Sequence, residues 1–294
     1  MPSAARSRTE QFHPSDWGLF VSIAGIWGAS FLLIAIGLDS FGPGLVTWLR
    51  VALGAGALAL VPAARTRIES EDRPRLIALS VVWVAIPFSL FPLAEQHINS
   101  AVTGLLNGAT PIFAGLAAAI FFARRPRGSQ LHGIVIGFSG VALVSVGSSS
   151  VGGTAVVGVA MVLAATFCYG IALNMTSALQ AKYGSVVVMA RMLALATIWT
   201  APYGIFDLFR SDFGAESAIA VAVLGIVGTG IAFAIMASLV GRVGPTRSSF
   251  ITYLIPVVSL LLGVVFRDDS VTVLALVGII LVIGGALLAS RPEA

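Results

Sequence analysis

The amino-acid sequence predicts an all-α membrane protein, with ten transmembrane helices arranged as two inverted five-helix repeats around a central cavity. Three observations predict this fold class. Hydrophobic residues make up 57% of the chain and charged residues 10%, and the mean hydropathy is +0.99. A proline-bearing segment occurs twice at a fixed spacing, and the basic residues collect in alternate loops. The composition excludes a soluble globular protein.

The hydrophobic segments set the number of predicted helices. A helix that crosses a bilayer needs about 20 mostly apolar residues. The ten predicted spans cover residues 17–38, 44–63, 76–93, 98–122, 130–146, 156–176, 185–208, 217–240, 248–266 and 271–289. Segment 1–16 is predicted to be a polar tail, not a removable signal peptide, because the apolar run after it is too long and no cleavage site follows.

The distribution of positive charge predicts the orientation of these spans. Cytoplasmic loops carry an excess of Lys and Arg. Of the 17 Lys and Arg residues, 13 fall on one side of the predicted membrane, two on the other, and two within spans. We therefore expect a multi-pass protein of the bacterial inner (cytoplasmic) membrane with both termini in the cytoplasm.

An internal repeat divides the chain into two predicted domains, residues 1–148 with the cytoplasmic N-terminal tail and residues 149–294. The repeat pairs Pro111 with Pro256, Leu116 with Leu261, Phe121 with Phe266, Gly133 with Gly278 and Gly140 with Gly285, 145 residues apart in each case. Each copy has five predicted spans. Because five is an odd number, the copies must enter the membrane in opposite orientations.

Prolines inside predicted spans indicate kinks and possible gates. A proline removes one backbone hydrogen bond, which a membrane helix tolerates where neighbours or water satisfy the freed carbonyl. Pro111 and Pro256 are expected to bend spans 4 and 9 beside a polar pathway. Pro87 and Pro92 bend span 3, where they form either a gate or a fixed shape.

Two arginines fall inside predicted spans, where a charge is kept for a function or for a partner. Arg50 lies in span 2 and Arg191 at the corresponding place in span 7. Either could bind a substrate carboxylate. The sequence favours the alternative, a structural role at helix-end carbonyls, because the position is duplicated.

The order and spacing of several motifs resemble the EamA-type transporters of the drug/metabolite transporter superfamily across nearly the whole chain. The motifs are Trp27-Gly28-Ala29-Ser30-Phe31, Pro43 with Arg50, Ser100-Ala101 with Pro111, and Gly140-Val141-Ala142-Leu143. The bacterial aromatic amino-acid exporters are the most similar group. The chain departs from the family at Ala123-Arg124-Arg125, where an acidic residue is common, and at Tyr169, which replaces the Trp of span 1.

The resemblance implies that spans 1, 3, 4, 6, 8 and 9 surround the central cavity and that spans 5 and 10 are peripheral. It also implies export of small organic metabolites, chiefly aromatic or other apolar amino acids, by alternating access. Candidate substrate-binding residues in these spans are Trp27, Trp83, Phe88, Asn107, Tyr169, Asn174, Phe233, Thr252 and Tyr253. The aromatic rings could instead form membrane-interface belts, and the polar side chains could instead join helices.

The acidic residues bear on ion coupling. All 13 fall in tails, loops or span ends, so no carboxylate is expected at the membrane midplane. Ion-coupled carriers commonly place one there. The sequence therefore favours uncoupled or weakly coupled transport, with proton-coupled export of other metabolites or drugs as the alternative. Glu95, His97 and His132 are the candidates for proton handling.

Other functional classes find little support in the sequence. There is no metal-ligand cluster, no catalytic constellation and no nucleotide motif, so we expect no enzyme activity, no metal, no cofactor and no nucleic acid. The expected partners are a small-molecule substrate and the lipid bilayer, and a monomer could hold a complete cavity. A membrane receptor or assembly protein that binds a ligand without moving it is the rival class.

Overall fold

The computed structural model describes residues 13–121, 128–149, 154–243, 248 and 251–289, and all regular secondary structure in this part of the chain is helical. Before residue 150 the helices are α1 (Pro14–Leu38), α2 (Pro43–Ala59), α3 (Arg73–Leu79), α4 (Ile86–Glu95), α5 (Ser100–Asn107), α6 (Thr110–Phe121) and α7 (Gly128–Ser149). After it they are α8 (Ala155–Tyr183), α9 (Ser185–Leu208), α10 (Ala215–Gly225), α11 (Ala232–Val243), α12 (Ile251–Arg267) and α13 (Val273–Ala289).

Several of these helices are long and apolar enough to cross a membrane. In the described residues they are Pro14–Leu38, Ser70–Glu95, Ala155–Tyr183, Ser185–Leu208 and Ala215–Val243, and the bent pair α5 and α6 would be a sixth. The helices α2, α7, α12 and α13 are apolar over 10–17 residues. The chain is therefore an all-helical protein with membrane-spanning helices.

Two of the long segments contain a π-helical turn. Residues Ser80–Ala85 join α3 to α4, and residues Ile226–Ile231 join α10 to α11. The two turns begin 146 residues apart, close to the repeat spacing in the sequence. Since π-turns are rare and often mark functional sites, their recurrence at one place in each half is informative.

The helices differ from the predicted spans at three places. The helix α2 ends at Ala59, short of the predicted 63, because Pro62 follows and begins a 3-10 turn. The helix α8 continues to Tyr183 instead of ending at 176, and Gly184 then reverses the chain with φ of 84°. The predicted span 98–122 is broken into α5 and α6.

The break between α5 and α6 follows from Pro111, whose ring nitrogen cannot bond to the carbonyl of Asn107. The Thr110 hydroxyl donates to that carbonyl at 2.7 Å. The two helices meet at an angle of 44°. Gly108, in the break, lies against Pro256 of α12, so the proline-bearing segments of the two halves are in contact.

The helices α7 and α13 pack as an antiparallel pair related by the repeat. Gly140 faces Gly278, and Gly133 faces Gly285. In the sequence repeat Gly140 corresponds to Gly285 and Gly133 to Gly278, so the repeat exchanges one contact for the other. A Cβ on Gly140 would lie 2.7 Å from the backbone nitrogen of Val282. Glycine is required at this crossing because the two backbones touch.

A second pair of contacts repeats in the same way. Gly28 of α1 lies against Val258 of α12, and Gly170 of α8 lies against Phe113 of α6. Gly170 is the predicted equivalent of Gly28, and Val258 lies 145 residues after Phe113. The same small-residue contact is therefore made twice between the two halves, with the roles of the halves exchanged.

Carboxylates bind the N-termini of neighbouring helices at one end of the bundle, which we call the Asp269 end. Asp269 Oδ2 accepts a hydrogen bond from the backbone nitrogen of Ala101 at 2.9 Å, at the start of α5. Asp207 Oδ2 accepts one from Gly44 at 2.7 Å, at the start of α2. A carboxylate at a helix N-terminus satisfies a free N–H and interacts favourably with the helix dipole.

The opposite end, the Lys182 end, is joined by ion pairs. Lys182 lies 2.6 Å from Glu69 and 2.8 Å from Asp72, and Arg242 lies 2.7 Å from Asp16. The Lys182 pairs are partly exposed, and such pairs contribute about 0–1 kcal/mol each, whereas the Asp16 side chain is buried. These ion pairs connect the ends of neighbouring helices, and the exposed ones among them are weak.

The kink in α4 is stabilised by a neighbouring helix. Pro92 cannot bond to the carbonyl of Phe88, and the hydroxyl of Thr47 on α2 lies 3.0 Å from that oxygen. The same hydroxyl is 2.8 Å from the carbonyl of Pro43. The side chain of Thr47 is fully buried, so the contact ties α2 to α4 inside the bundle.

We expect Thr47→Val to lower the free energy of unfolding by about 1 kcal/mol, because the freed Phe88 carbonyl loses its donor. Thermal denaturation of the purified protein in detergent measures the change, and Thr47→Ser, which keeps the hydroxyl, is the control. In a Pro92→Ala background the helix supplies its own N–H, and the cost should largely disappear. An equal cost in both backgrounds would contradict this account.

Candidate functional site

Arg50 is a cation buried inside the helix bundle. Its side chain is 7% exposed, and its guanidinium lies 3.9 Å from the ring centroid of Phe88. Nε donates to the hydroxyl of Thr229 at 3.2 Å. Among the described residues Nη1 and Nη2 have no hydrogen-bond partner. A buried guanidinium with two free donor nitrogens is suited to bind a carboxylate in a bidentate manner.

The π-turn at Ile226–Ile231 positions Thr229 for this contact. The Thr229 hydroxyl donates to the carbonyl of Leu224 at 3.0 Å and accepts from Arg50. Gly225 and Gly54 allow close packing, since a Cβ on Gly54 would lie 2.8 Å from the Thr229 side chain. The glycines therefore let α2 pack against the π-turn, and the turn places the Thr229 hydroxyl within hydrogen-bond distance of Arg50.

Arg191, the repeat equivalent of Arg50, has different contacts. Its Nη2 lies 3.3 Å from the carbonyls of both Arg65 and Thr66, in the connection after α2. These are helix-end carbonyls, as the structural interpretation of this arginine predicts. The position in the first π-turn that corresponds to Thr229 is Trp83, whose indole has no acceptor to offer a guanidinium. The two arginines are therefore equivalent in sequence but not in environment.

Aromatic rings from four helices contact one another in the core of the bundle. Trp27 of α1 makes an edge contact with Phe233 of α11, with ring centroids 5.6 Å apart. Phe91 of α4 contacts Phe31 at 5.6 Å and Tyr169 of α8 at 5.8 Å. Edge-on ring contacts of this kind are favourable beyond the area they bury.

We call Arg50, Thr229, Phe88, Trp27, Tyr169 and Phe233 the central cluster. Tyr169 packs against both large hydrophobic clusters of the bundle, Phe88 belongs to one, and Trp27 packs against the other. Of the predicted substrate-binding residues, Phe88 contacts Arg50, Tyr169 packs against both hydrophobic clusters, and Trp27 and Phe233 contact each other. Trp83 packs against the same hydrophobic cluster as Phe88.

Two of the predicted polar contacts are used between helices instead. The Asn174 amide donates to the carbonyls of Ala114 at 3.0 Å and Gly170 at 2.9 Å. The Tyr253 hydroxyl donates to the carbonyl of Ala286 at 3.1 Å, on α13. Both side chains join helices in this structure, which was the alternative interpretation for such residues.

The other polar candidates lie near the helix breaks. The Oδ1 atom of Asn107, at the end of α5, is buried and has no hydrogen-bond partner. Thr252 is half-buried, one turn before Pro256. Pro87 and Pro92 are both buried in α4, next to Phe88 and Phe91 of the central region. The prolines therefore shape the helices that carry the cluster.

Three residues of this region are absent from the sequence-based set, namely Phe31, Phe91 and Thr229. Phe91 stands between the two prolines of α4, and Thr229 between Gly228 and Gly230. Flanking prolines or glycines favour an irregular helix, and that was the signal in the sequence for these two residues. Nothing in the sequence showed that Thr229 would reach Arg50, because that contact depends on the π-turn.

A separate cavity of about 340 Å³ lies at the Asp269 end. It is lined by the ends of α4 and α12 and the starts of α5 and α13, including Glu95, His97, Asn99, Ser100, Arg267 and Asp269. Both carboxylate oxygens of Glu95 are buried and have no hydrogen-bond partner. The described residues include no group of three or more acidic, His or Cys side chains that could hold a metal ion.

The predicted basic loop at residues 124–127 and the chain termini lie outside the described residues. The contribution of Arg6, Arg8, Arg124, Arg125, Arg127, Arg247 and Arg291 to the predicted orientation therefore stays a prediction.

The model of the EamA-like transporter family matches residues 17–146 and, a second time, residues 156–291. An uncharacterized transporter of Archaeoglobus fulgidus is 27% identical over 94% of this chain and 98% of its own length. A probable terminal-alkyne amino-acid exporter of Streptantibioticus cattleyicolor is 27% identical over 94% and 93%. A probable amino-acid metabolite efflux pump of Escherichia coli is 24% identical over 92% and 93%.

A solved crystal structure has the same fold. It aligns with a TM-score of 0.60 over 94% of this chain and 96% of its own, at 19% sequence identity. At that identity the likeness concerns the fold alone.

Proposed function

The chain belongs to the EamA-like transporter family, and from that premise we propose that it exports small organic metabolites, chiefly aromatic or other apolar amino acids, across the bacterial inner membrane. Transport would proceed by alternating access through ten membrane spans with both termini in the cytoplasm. The two domains would be residues 1–148 and 149–294. Relatives named as amino-acid or amino-acid metabolite exporters support the substrate class.

The observation that carries the proposal is the environment of Arg50. Its two free terminal nitrogens can bind a carboxylate, the ring of Phe88 lies 3.9 Å from its guanidinium, and Trp27, Tyr169 and Phe233 supply further rings in the core that can contact an apolar side chain. The region thus offers complementary groups for both ends of an apolar amino acid. A buried cation without full hydrogen bonding is costly in a membrane protein and is retained for function.

The inverted-repeat part of the proposal is supported by features that recur in symmetric pairs. The glycine crossing of α7 and α13 and the contacts of Gly28 and Gly170 join the two halves, and a π-turn occurs once in each half. The double match of the family model agrees with two copies of one unit. In inverted-repeat carriers the substrate site lies at the interface between the copies, and Arg50 and Thr229 come from different copies.

The ties at the two ends support alternation. Arg267 and Asp39 pair at the Asp269 end with contacts of 2.7 and 2.9 Å, and Lys182 pairs with Glu69 and Asp72 at the other. Ion pairs of this modest strength can break when one end opens, as alternating access requires.

Two other functions remain alternatives. Proton-coupled export of other metabolites or drugs would use the same fold, and a receptor or assembly protein would bind a ligand without flux. The absence of flux, with binding retained, would favour the second. A requirement for a proton gradient would favour the first over the uncoupled or weakly coupled transport predicted from the sequence.

Flux through the purified protein in liposomes tests the proposal. We expect counterflow of radiolabelled L-phenylalanine and L-leucine above that of protein-free vesicles, without any ion gradient, and weaker flux for L-aspartate, whose second carboxylate finds no cation in the aromatic region. Equal flux for all three amino acids, or none, would contradict the proposed substrate class.

A further inference from the structure

Glu95 is the last residue of α4, and its carboxylate stands out among the acidic groups of the structure. Both oxygens are buried and neither has a hydrogen-bond partner. An ionised carboxylate in such surroundings is costly unless a cation compensates its charge. The residue must therefore either carry a proton or rely on a nearby positive charge.

Arg267, a cation at the same end of the bundle as Glu95, is already paired with another carboxylate. Arg267 donates from both terminal nitrogens to Asp39, at 2.7 and 2.9 Å. The neighbouring acid, Asp269, caps α5 and repels a second negative charge. Glu95 is thus left without a direct partner at the Asp269 end.

The remaining cation near Glu95 is Arg50. Phe88, Phe91 and Glu95 are spaced three and four residues apart, which places them on one face of α4. Glu95 lies about 10 Å along the helix from Phe88, and its Cβ leans back toward the helix N-terminus, where Arg50 covers the Phe88 ring. Within the described residues no ion pair joins the two side chains, so their charges would interact through space and not through a direct hydrogen bond.

The charged and titratable groups around Glu95 come from every neighbouring element. The charged groups that act on Glu95 are Arg50 on α2, Arg267 on α12 and Asp269 after it. His97 lines the same cavity, Asp39 pairs with Arg267, and Tyr169 of α8 lies near Arg50. Of these, Arg50 alone is a cation whose terminal nitrogens have no acceptor among the described residues.

We propose that Glu95 is a proton-binding site, reached from the cavity at the Asp269 end, and that its proton is taken up when a substrate carboxylate binds Arg50. Without substrate, the positive charge of Arg50 compensates the ionised Glu95. A carboxylate bound at Arg50 neutralises that charge, so Glu95 binds a proton from the cavity. The substrate and the proton therefore bind cooperatively. This inference rests on the proposed role of Arg50 in amino-acid binding.

The sign of the pH dependence follows from linkage. Because the complex holds one more proton than the free protein, affinity should rise as pH falls, by up to about tenfold per pH unit. Over about pH 5 to 8 the α-carboxylate and α-ammonium of L-phenylalanine keep their charges. The change therefore reports on the protein and not on the probe.

The test compares the wild type with Glu95→Gln, which imitates the protonated acid, and with Asp212→Asn, which removes an exposed carboxylate at the same end. Calorimetric titration with L-phenylalanine over this pH range should give a wild-type affinity that rises toward low pH. Glu95→Gln should bind tightly and independently of pH, and Asp212→Asn should follow the wild type. 2-Phenylethylamine, which lacks the carboxylate and keeps its ammonium charge over this pH range, should show no such dependence.

Three results would overturn the proposal: an affinity that falls toward low pH, a Glu95→Gln variant that keeps the wild-type slope, or a folded Glu95→Gln variant that no longer binds. Infrared difference titration without substrate provides an independent readout, since the carboxylic acid band formed on acidification should be absent from Glu95→Gln. If no variant binds any amino acid, the proposed function fails, and the infrared band alone decides whether Glu95 takes up a proton.

Discussion

Replacing Arg50 with alanine is expected to reduce amino-acid affinity and flux by about 10- to 100-fold, because hydrogen bonds to a charged group contribute about 1.5–3 kcal/mol. Flux of labelled substrate in proteoliposomes, normalised to the inserted protein, measures the effect. Two free nitrogens of the guanidinium face no acceptor in the structure, so the loss should appear in binding.

Arg50→Lys should recover only part of the activity. Lysine keeps the charge but has no planar fork for a carboxylate, and it cannot reproduce the Nε contact with Thr229. Arg191→Ala is the matched control, since this arginine occupies the mirror position and bonds to the carbonyls of Arg65 and Thr66. We expect that variant to retain transport with lower stability. Normal flux in both Arg50 variants would assign Arg50 a structural role only.

Gly285→Ala is expected to destabilise the protein by about 1–3 kcal/mol, the usual cost of forcing extra atoms into a packed interior. A Cβ at this position would lie 2.5 Å from the backbone nitrogen of Gly137 and 2.8 Å from its Cα, and neither helix backbone can yield locally.

The adjacent residue provides a closely matched control. A Cβ on Gly284 would meet no atom within 4 Å, so Gly284→Ala should leave stability unchanged or raise it slightly. Thermal denaturation in detergent compares the two variants. Equal melting temperatures would show that the α7 and α13 crossing does not require glycine.

The family was predictable from the sequence because it depends on features that survive divergence. The spacing of hydrophobic segments, the tryptophan motif of span 1 and the proline at residue 111 resembled the EamA-type transporters, and the double family match confirms that interpretation. The helices lie at the segments that hydropathy indicated, and their ends shifted where Pro62 and Gly184 act as local signals.

The details of the site were less predictable because they depend on packing. Asn174 and Thr229 are both polar residues in apolar helices, yet one bonds to a neighbouring backbone and the other to Arg50. The difference comes from the π-turn, which has no residue signature beyond its glycines. Similarly, composition placed Glu95 at a helix end but could not show that both its oxygens would be enclosed.

The unequal surroundings of Arg50 and Arg191 bear on how the molecule rests between turnovers. In a carrier whose two halves exchange shapes, identical halves would make the inward-open and outward-open forms equal in energy. Here Thr229 holds one arginine in the bundle, while Trp83 at the matching place leaves the other to the loop carbonyls. If the chain alternates as proposed, the two forms differ in energy, and an idle molecule favours one side of the membrane.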